Sequence, residues 1–189
     1  MRKVILNMNM TFDGFFNLDW MGQMHVPDQE LNDDTMALMG GTDGGFVGYP
    51  FASGMIPYWL NVAKNPSASQ GERAIAHAVN NAHKIVISSS EEKLEWENSE
   101  LLLVQGDNDL VEAVTKLKQQ PGRDLGVIGG IRTAQTFARL GFIDEYNLLV
   151  HPVAIGNGTR VFTDRADLKL VSVKTYNSGV MRVCYRPAQ

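Results

Sequence analysis

The chain has 189 residues, 44% of them hydrophobic and 20% charged, with a formal net charge of −4. That is enough sequence for one domain with a real core, and an acidic balance without any basic run argues against a general nucleic-acid or anionic-membrane surface. A single cysteine, Cys184, cannot build a disulfide framework, and no stretch approaches the ~18–20 apolar residues that span a bilayer, so a cytoplasmic protein is expected.

Residues 2–10 read as a first strand, with Asn7 and Asn9 breaking an apolar run at period two. Thr11 to His25 is rich in Gly, Asp and Asn yet carries Phe12, Phe15, Phe16 and Trp20, a loop expected to fold down on the core or on a ligand. Pro27 to Met39 predicts a helix stopped by Gly40 and Gly41, with Asp28 near its start. Gly45 to Gly48 is a short buried strand. A second helix is expected over Phe51 to Ala63, although Gly54 and Pro57 count against its first turns. Asn65 to Gly71 reads as a surface loop, and Glu72 to Ala82 as a helix with Ile75 and Val79 on one face.

Lys84 to Ile87 is a β-branched strand running into three hydroxyls, Ser88, Ser89 and Ser90. Leu101 to Val104 is a further strand. The best-signalled helix spans 109–119: Asp109 and Glu112 have capping-box spacing, and Pro121-Gly122 ends it. Asp124 to Phe142 reads as strand, Gly129-Gly130 turn and helix, closing at Gly141. A strand aimed through bare backbone at a helix N-terminus is a ready anion site, because unpaired N–H groups and the positive dipole end face it. After Asp144 come a strand over Glu145 to Val153, a turn at Gly156 to Gly158, and alternating strands over Leu168 to Tyr176 and Val180 to Tyr185. Asn177-Ser178-Gly179 between them is a hairpin signal.

Strand–helix alternation followed by an antiparallel tail predicts one α/β domain over 1–189, a three-layer α-β-α arrangement with a central mixed, mostly parallel sheet and a C-terminal antiparallel hairpin. Ligands in such sheets sit at the carboxyl ends of parallel strands. Four segments converge there: Thr11–His25, Gly48–Pro50, Ser88–Ser90 and Gly129–Arg132. His25, His77, His83 and His151 are scattered without metal-ligand spacing, so no metal site is expected, and His151 before Pro152 reads as structural.

The ordered set Met10-Thr11-Phe12-Asp13-Gly14, Leu18-Asp19-Trp20, Val127-Ile128-Gly129-Gly130 and His151 to Gly158 resembles the dihydrofolate reductase superfamily, and more closely its branch containing the C-terminal reductase domain of the riboflavin-biosynthesis protein RibD. The resemblance implies an NADPH-dependent reductase that passes a hydride to a small pterin- or aminopyrimidine-like heteroaromatic. It places Gly129, Gly130, Ile131, Arg132 and Thr133 on the pyrophosphate and ribose, Ser88, Ser89 and Ser90 near the adenosine ribose and its 2′-phosphate, and Met10 and Thr11 beside the nicotinamide. Gly48 and Tyr49 would form another arm, and the loop with Phe12 and Trp20 a lid over the substrate. Asp28 falls where dihydrofolate reductases keep the carboxylate that assists protonation, and Asp13 is a second candidate acid. A homodimer through the C-terminal strands is implied as well. The family usually carries Arg or Lys and then Thr after its equivalent of Gly48, where this chain has Tyr49, Pro50 and Phe51. That departure keeps open a second reading, a nucleotide-binding protein on the same fold without turnover.

Overall fold

The protein's computed structural model describes residues 1–16, 28–90 and 96–188. The strands are β1 (Val4–Thr11), β2 (Phe15–Phe16), β3 (Thr42–Gly48), β4 (Lys84–Ser88), β5 (Ser99–Leu103), β6 (Asp124–Gly129), β7 (Glu145–His151), β8 (Thr159–Arg160), β9 (Leu168–Thr175) and β10 (Met181–Pro187). The helices among the described residues are α1 (Gln29–Gly40), α2 (Tyr49–Lys64), α3 (Gln70–Asn81), α4 (Asp107–Gln119) and α5 (Ile131–Arg139).

Eight strands form one sheet in the order β5-β4-β3-β6-β1-β7-β10-β9. Every pair from β5 to β7 is parallel, and β10 and β9 close the edge antiparallel. Alternation along the strands sorts the two faces. Val4, Leu6 and Met8 of β1 pack with Leu110 and Val114 of α4 and with Ala134 and Phe137 of α5. Phe46 and Phe137 meet there with ring centroids 4.9 Å apart, and burying each such side chain stabilises by ~1.5–3 kcal/mol. On the other face Val47 and Val86 pack with Ala52 of α2 and Val79 of α3, while Leu31 of α1 meets Leu149 of β7. The result is the α/β three-layer arrangement expected.

Helix α1 buries only Leu31, so polar ties to the C-terminal hairpin hold it instead. Asp34 accepts from Lys174 Nζ at 2.6 Å and from the Tyr176 hydroxyl at 2.7 Å, and the N–H of Ser178 donates to Asp28 at 2.9 Å. The hairpin turns where Asn177-Ser178-Gly179 predicts, with Gly179 in the left-handed region.

Several boundaries differ from expectation for local reasons. Helix α2 starts at Tyr49 and runs through Pro57, with Pro50 in its first turn, where a missing N–H costs nothing. Helix α3 begins earlier than Glu72 because Ser69 and Glu72 form a reciprocal capping box. The expected box at Asp109 and Glu112 is not formed. Gly106 is the N-cap of α4, Asp109 lies within the first turn, and its carboxylate accepts from the N–H of Gln105. Strand β7 ends at His151 rather than Val153, and the short pair β2–β8 joins the segment after β1 to the segment after β7.

Candidate functional site

The C-terminal ends of β4, β3, β6 and β1 lie in consecutive positions along one sheet edge. Two of them lead straight into helices. Gly48 is the N-cap of α2 and Gly130 the N-cap of α5; neither helix has a side-chain cap or an acidic residue in its first turn. By contrast α1 and α3 are capped by Asp28 and Ser69. Because β3 and β6 are paired neighbours, with Val47 opposite Gly129, the two uncapped N-termini open side by side. The helix dipoles and the first-turn N–H groups, less the one that Pro50 lacks, make that corner electropositive without any side chain.

The glycines let these parts approach. Gly130 adopts φ +88°, which L side chains rarely take. A Cβ on Gly48 would lie 2.8 Å from the Thr133 hydroxyl oxygen, so the start of α2 is seated against the first turn of α5. Gly129 has a different reason for lacking a side chain. The Phe51 ring lies over it, with Cδ1 2.8 Å from where its Cβ would be. The part of the turn left for an anion is therefore Gly130 through Thr133. Ile131 packs partly into the core, Thr133 is buried, and Arg132 is exposed with no hydrogen bond or ion pair among the described residues. Arg132 and Thr133 also line a shallow hollow of about 150 Å³, together with Ile87, Leu110 and Thr136.

At the end of β4, Ser88 is buried and its hydroxyl accepts from the N–H of Ser90 at 3.2 Å, while Ser89 and Ser90 are exposed. Tyr49 packs partly against the α2–α3 cluster. At the end of β1, Met10 packs against the core and Thr11 is fully buried. The Thr11 hydroxyl donates to Asp13 at 2.6 Å and accepts from the N–H of Phe15 at 2.9 Å. Phe12 is 71% exposed. Trp20 and the rest of 17–27 lie outside the described residues.

The two candidate acids are occupied by backbone. Asp13 accepts from the N–H groups of Ile155 at 3.1 Å and Gly156 at 2.8 Å, tying the β1 turn to the segment after β7. The Thr11 hydroxyl, and after it those N–H groups, holds its carboxyl below the usual range. Asp28 caps α1 through the N–H of Leu31 at 3.1 Å and takes the N–H of Ser178 on its other oxygen. The Ser178 and Leu31 N–H groups likewise hold it below its ordinary value. Both geometries favour a fixed anion and not a stored proton.

Sequence reasoning passed over a polar couple on the sheet face that α1 covers. His151 Nε2 lies 2.9 Å from Asn9 Oδ1, and since that oxygen only accepts, Nε2 carries the proton. Burial pushes the imidazole's pKa down, which keeps it neutral. The signal was available: Asn9 interrupts an apolar strand at period two, and His151 sits at the end of the neighbouring strand. No group of three or more His, Cys, Asp or Glu among the described residues is placed to hold a metal ion.

The family model for the RibD C-terminal domain matches residues 2–182. A Bacillus subtilis (strain 168) protein, "Uncharacterized protein YyaP", is 28% identical over 197 residues, covering 97% of this chain and 94% of its own. Among solved structures, a putative riboflavin biosynthesis protein from Shewanella sp. PV-4 superposes with a TM-score of 0.71 at 18% identity, covering 100% of both chains. Dihydrofolate reductase from Enterococcus faecalis, complexed with NADP(H), gives a TM-score of 0.59 at 11% identity and covers 99% of this chain and 97% of its own. At such identities the structural likeness speaks for the fold alone.

Proposed function

The chain belongs to the RibD C-terminal domain family, and on that premise we propose that it is a single-domain, NADPH-dependent reductase acting on a small pterin- or aminopyrimidine-like heteroaromatic. The observation that carries this reading is the pair of uncapped helix N-termini at Gly48 and Gly130, side by side on adjacent strands and seated together through Thr133. The residues present fit a dinucleotide. The first turn of α5 would take the pyrophosphate on the N–H groups of Ile131, Arg132 and Thr133. Arg132, without another partner among the described residues, suits a 2′-phosphate near Ser88, Ser89 and Ser90, and the hollow beside it suits the adenosine.

Bound there, NADPH supplies the hydride, and the protein's part is positioning and exclusion of water. Met10 and Thr11 at the end of β1 would flank the nicotinamide, with Phe12 and Trp20 on the covering loop and on the substrate. Asp28 and Asp13, both held as anions, would orient the α1 start and the β1 turn, and the proton would reach the substrate through ordered water. The neutral His151 on Asn9 gives that side of the sheet an imidazole of fixed orientation. The exposed Leu170, Val171 and Val173 of edge strand β9 support a homodimer. No described helix is long and apolar enough to cross a membrane, and with one cysteine and a net charge of −4 a cytoplasmic protein without nucleic-acid or membrane partners is the reading we favour.

Tyr49, Pro50 and Phe51, which bring no cation to the second arm, favour one alternative: a nucleotide-binding protein without turnover. Fluorescence titration with NADPH, followed by NADPH oxidation across a panel of pterins and aminopyrimidines, separates the two. Binding with substrate-dependent oxidation supports the reductase. Binding without oxidation over the panel supports the alternative, and absence of binding removes both.

A further inference from the structure

Strand β1 pairs with β7 as far as Thr11, opposite His151, but with β6 only as far as Leu6, opposite Val127. Beyond that point β6 stays with β3, where Val47 faces Gly129, so β1 and β6 part and a crevice opens between them. Asn9 stands three residues past the parting and immediately before Met10, on the sheet face that α1 covers. It is half-buried.

The Asn9 amide is held at one end and open at the other. Its Oδ1 takes the Nε2–H of His151 at 2.9 Å, and His151 is only 4% exposed, so the imidazole is packed in place. With its oxygen engaged, the amide presents Nδ2, which offers two N–H donors and no acceptor. Neither donates to a described residue. Two strands over at the same level, by contrast, Arg182 has its partner in Asp34 of α1, at 3.6 Å.

A fixed donor calls for a ligand atom with free lone pairs. On the edge of a heteroaromatic ring an exocyclic carbonyl oxygen supplies them. An exocyclic amino group in the same place would set N–H against N–H and leave both without a partner. Resting on the reductase reading, we propose that Asn9 orients the substrate, its Nδ2 donating to a ring carbonyl oxygen. Asn9 thereby selects oxo over amino heteroaromatics, and His151 is the positioning residue that holds its amide.

The test compares 7,8-dihydropterin with 2,4-diamino-7,8-dihydropteridine, and 2,5,6-triaminopyrimidin-4-one with 2,4,5,6-tetraaminopyrimidine, on the full chain with NADPH present. Each pair differs by one carbonyl replaced by an amino group. Calorimetry reads binding, and NADPH oxidation reads kcat/KM. The unaltered chain should favour the oxo member at least ~10-fold, the worth of one well-placed hydrogen bond. Asn9→Asp keeps an acceptor for His151 but replaces the donors with a carboxylate oxygen, and should abolish or reverse the preference. His151→Leu releases the amide and should shrink it, while His151→Gln, which keeps an N–H donor for Oδ1, should retain more of it. A merely structural tie would weaken both members of a pair alike and leave their ratio unmoved. That result overturns the proposal, as does an unaltered chain that binds both members equally or neither. An oxo preference in binding without NADPH oxidation removes the reductase reading and leaves the role of Asn9 standing. Oxidation with a ratio indifferent to Asn9→Asp does the reverse. The paired ligands on the unaltered chain decide the matter even where a variant fails to fold.

Discussion

The Thr133 hydroxyl oxygen stands 2.8 Å from where a side chain on Gly48 would begin. This contact couples the β3–α2 junction to the β6–α5 junction, since the residues come from different strand–helix units. Gly48 itself has φ −76°, which any residue tolerates, so a substitution there is opposed by space and not by backbone. Gly48→Ala should destabilise by ~1–3 kcal/mol, the usual cost of overpacking. Combining it with Thr133→Ala should recover at least ~0.5 kcal/mol relative to the sum of the single changes. Urea denaturation of the four proteins checks this, and strict additivity would show that the two junctions are not in contact.

Asp28 joins the start of α1 to the tip of the β9–β10 hairpin, through Leu31 and Ser178. Because the N–H groups of Ser178 and then Leu31 depress its folded pKa, its stabilising charge is fully present above the unfolded carboxylate value of ~3.9. It is lost as pH falls through the lower folded value. Asp28→Asn should therefore melt lower than the parent at neutral pH, and the gap should narrow on acidification below pH ~4. Thermal melts across that range test the assignment. A gap that stays constant with pH would mean the charge has no part in the tie.

Lys84 is a buried cation with a definite task. Its Nζ donates to the carbonyls of Val79 at 3.2 Å and Asn80 at 2.6 Å, finishing α3, and it lies 4.6 Å from the centre of the Trp96 ring. Burial pushes its pKa down from 10.5 to about 8. Between those values the unfolded chain holds a proton that the folded one has released, so stability should rise as pH climbs through this window. Lys84→Met should remove that rise. Urea midpoints at the two ends of the window, compared between the two proteins, measure it; parallel curves would place the lysine charge in the folded state throughout.

Much of the fold was legible because its signals are local. Gly141 closing α5, the Asn177-Ser178-Gly179 turn and the alternation of β9 and β10 depend on a few consecutive residues. The candidate cleft was legible for a related reason, since topology alone puts the ends of β4, β3, β6 and β1 on one edge. The misplacements have physical causes too. Asp109 has the spacing of a cap, but extended Gly106 starts the chain into α4 and leaves Asp109 inside the first turn. Pairwise contacts between distant segments could not be read at all. Phe51 over Gly129, His151 on Asn9 and Arg182 beneath α1 depend on how elements pack, and no short stretch of sequence carries that.

In the proposed complex a dinucleotide lies across the paired N-termini of α2 and α5 with its 2′-phosphate near Arg132. Calorimetric titration of the unaltered chain, Gly130→Val and Arg132→Gln with NADPH and with NADH tests that placement. The unaltered chain should bind NADPH and Gly130→Val should not, since a β-branched residue cannot hold φ +88° there. Arg132→Gln should weaken NADPH by ~10-fold or more while leaving NADH nearly unchanged. Undiminished NADPH binding by Gly130→Val, or equal losses for both cofactors in Arg132→Gln, would contradict it.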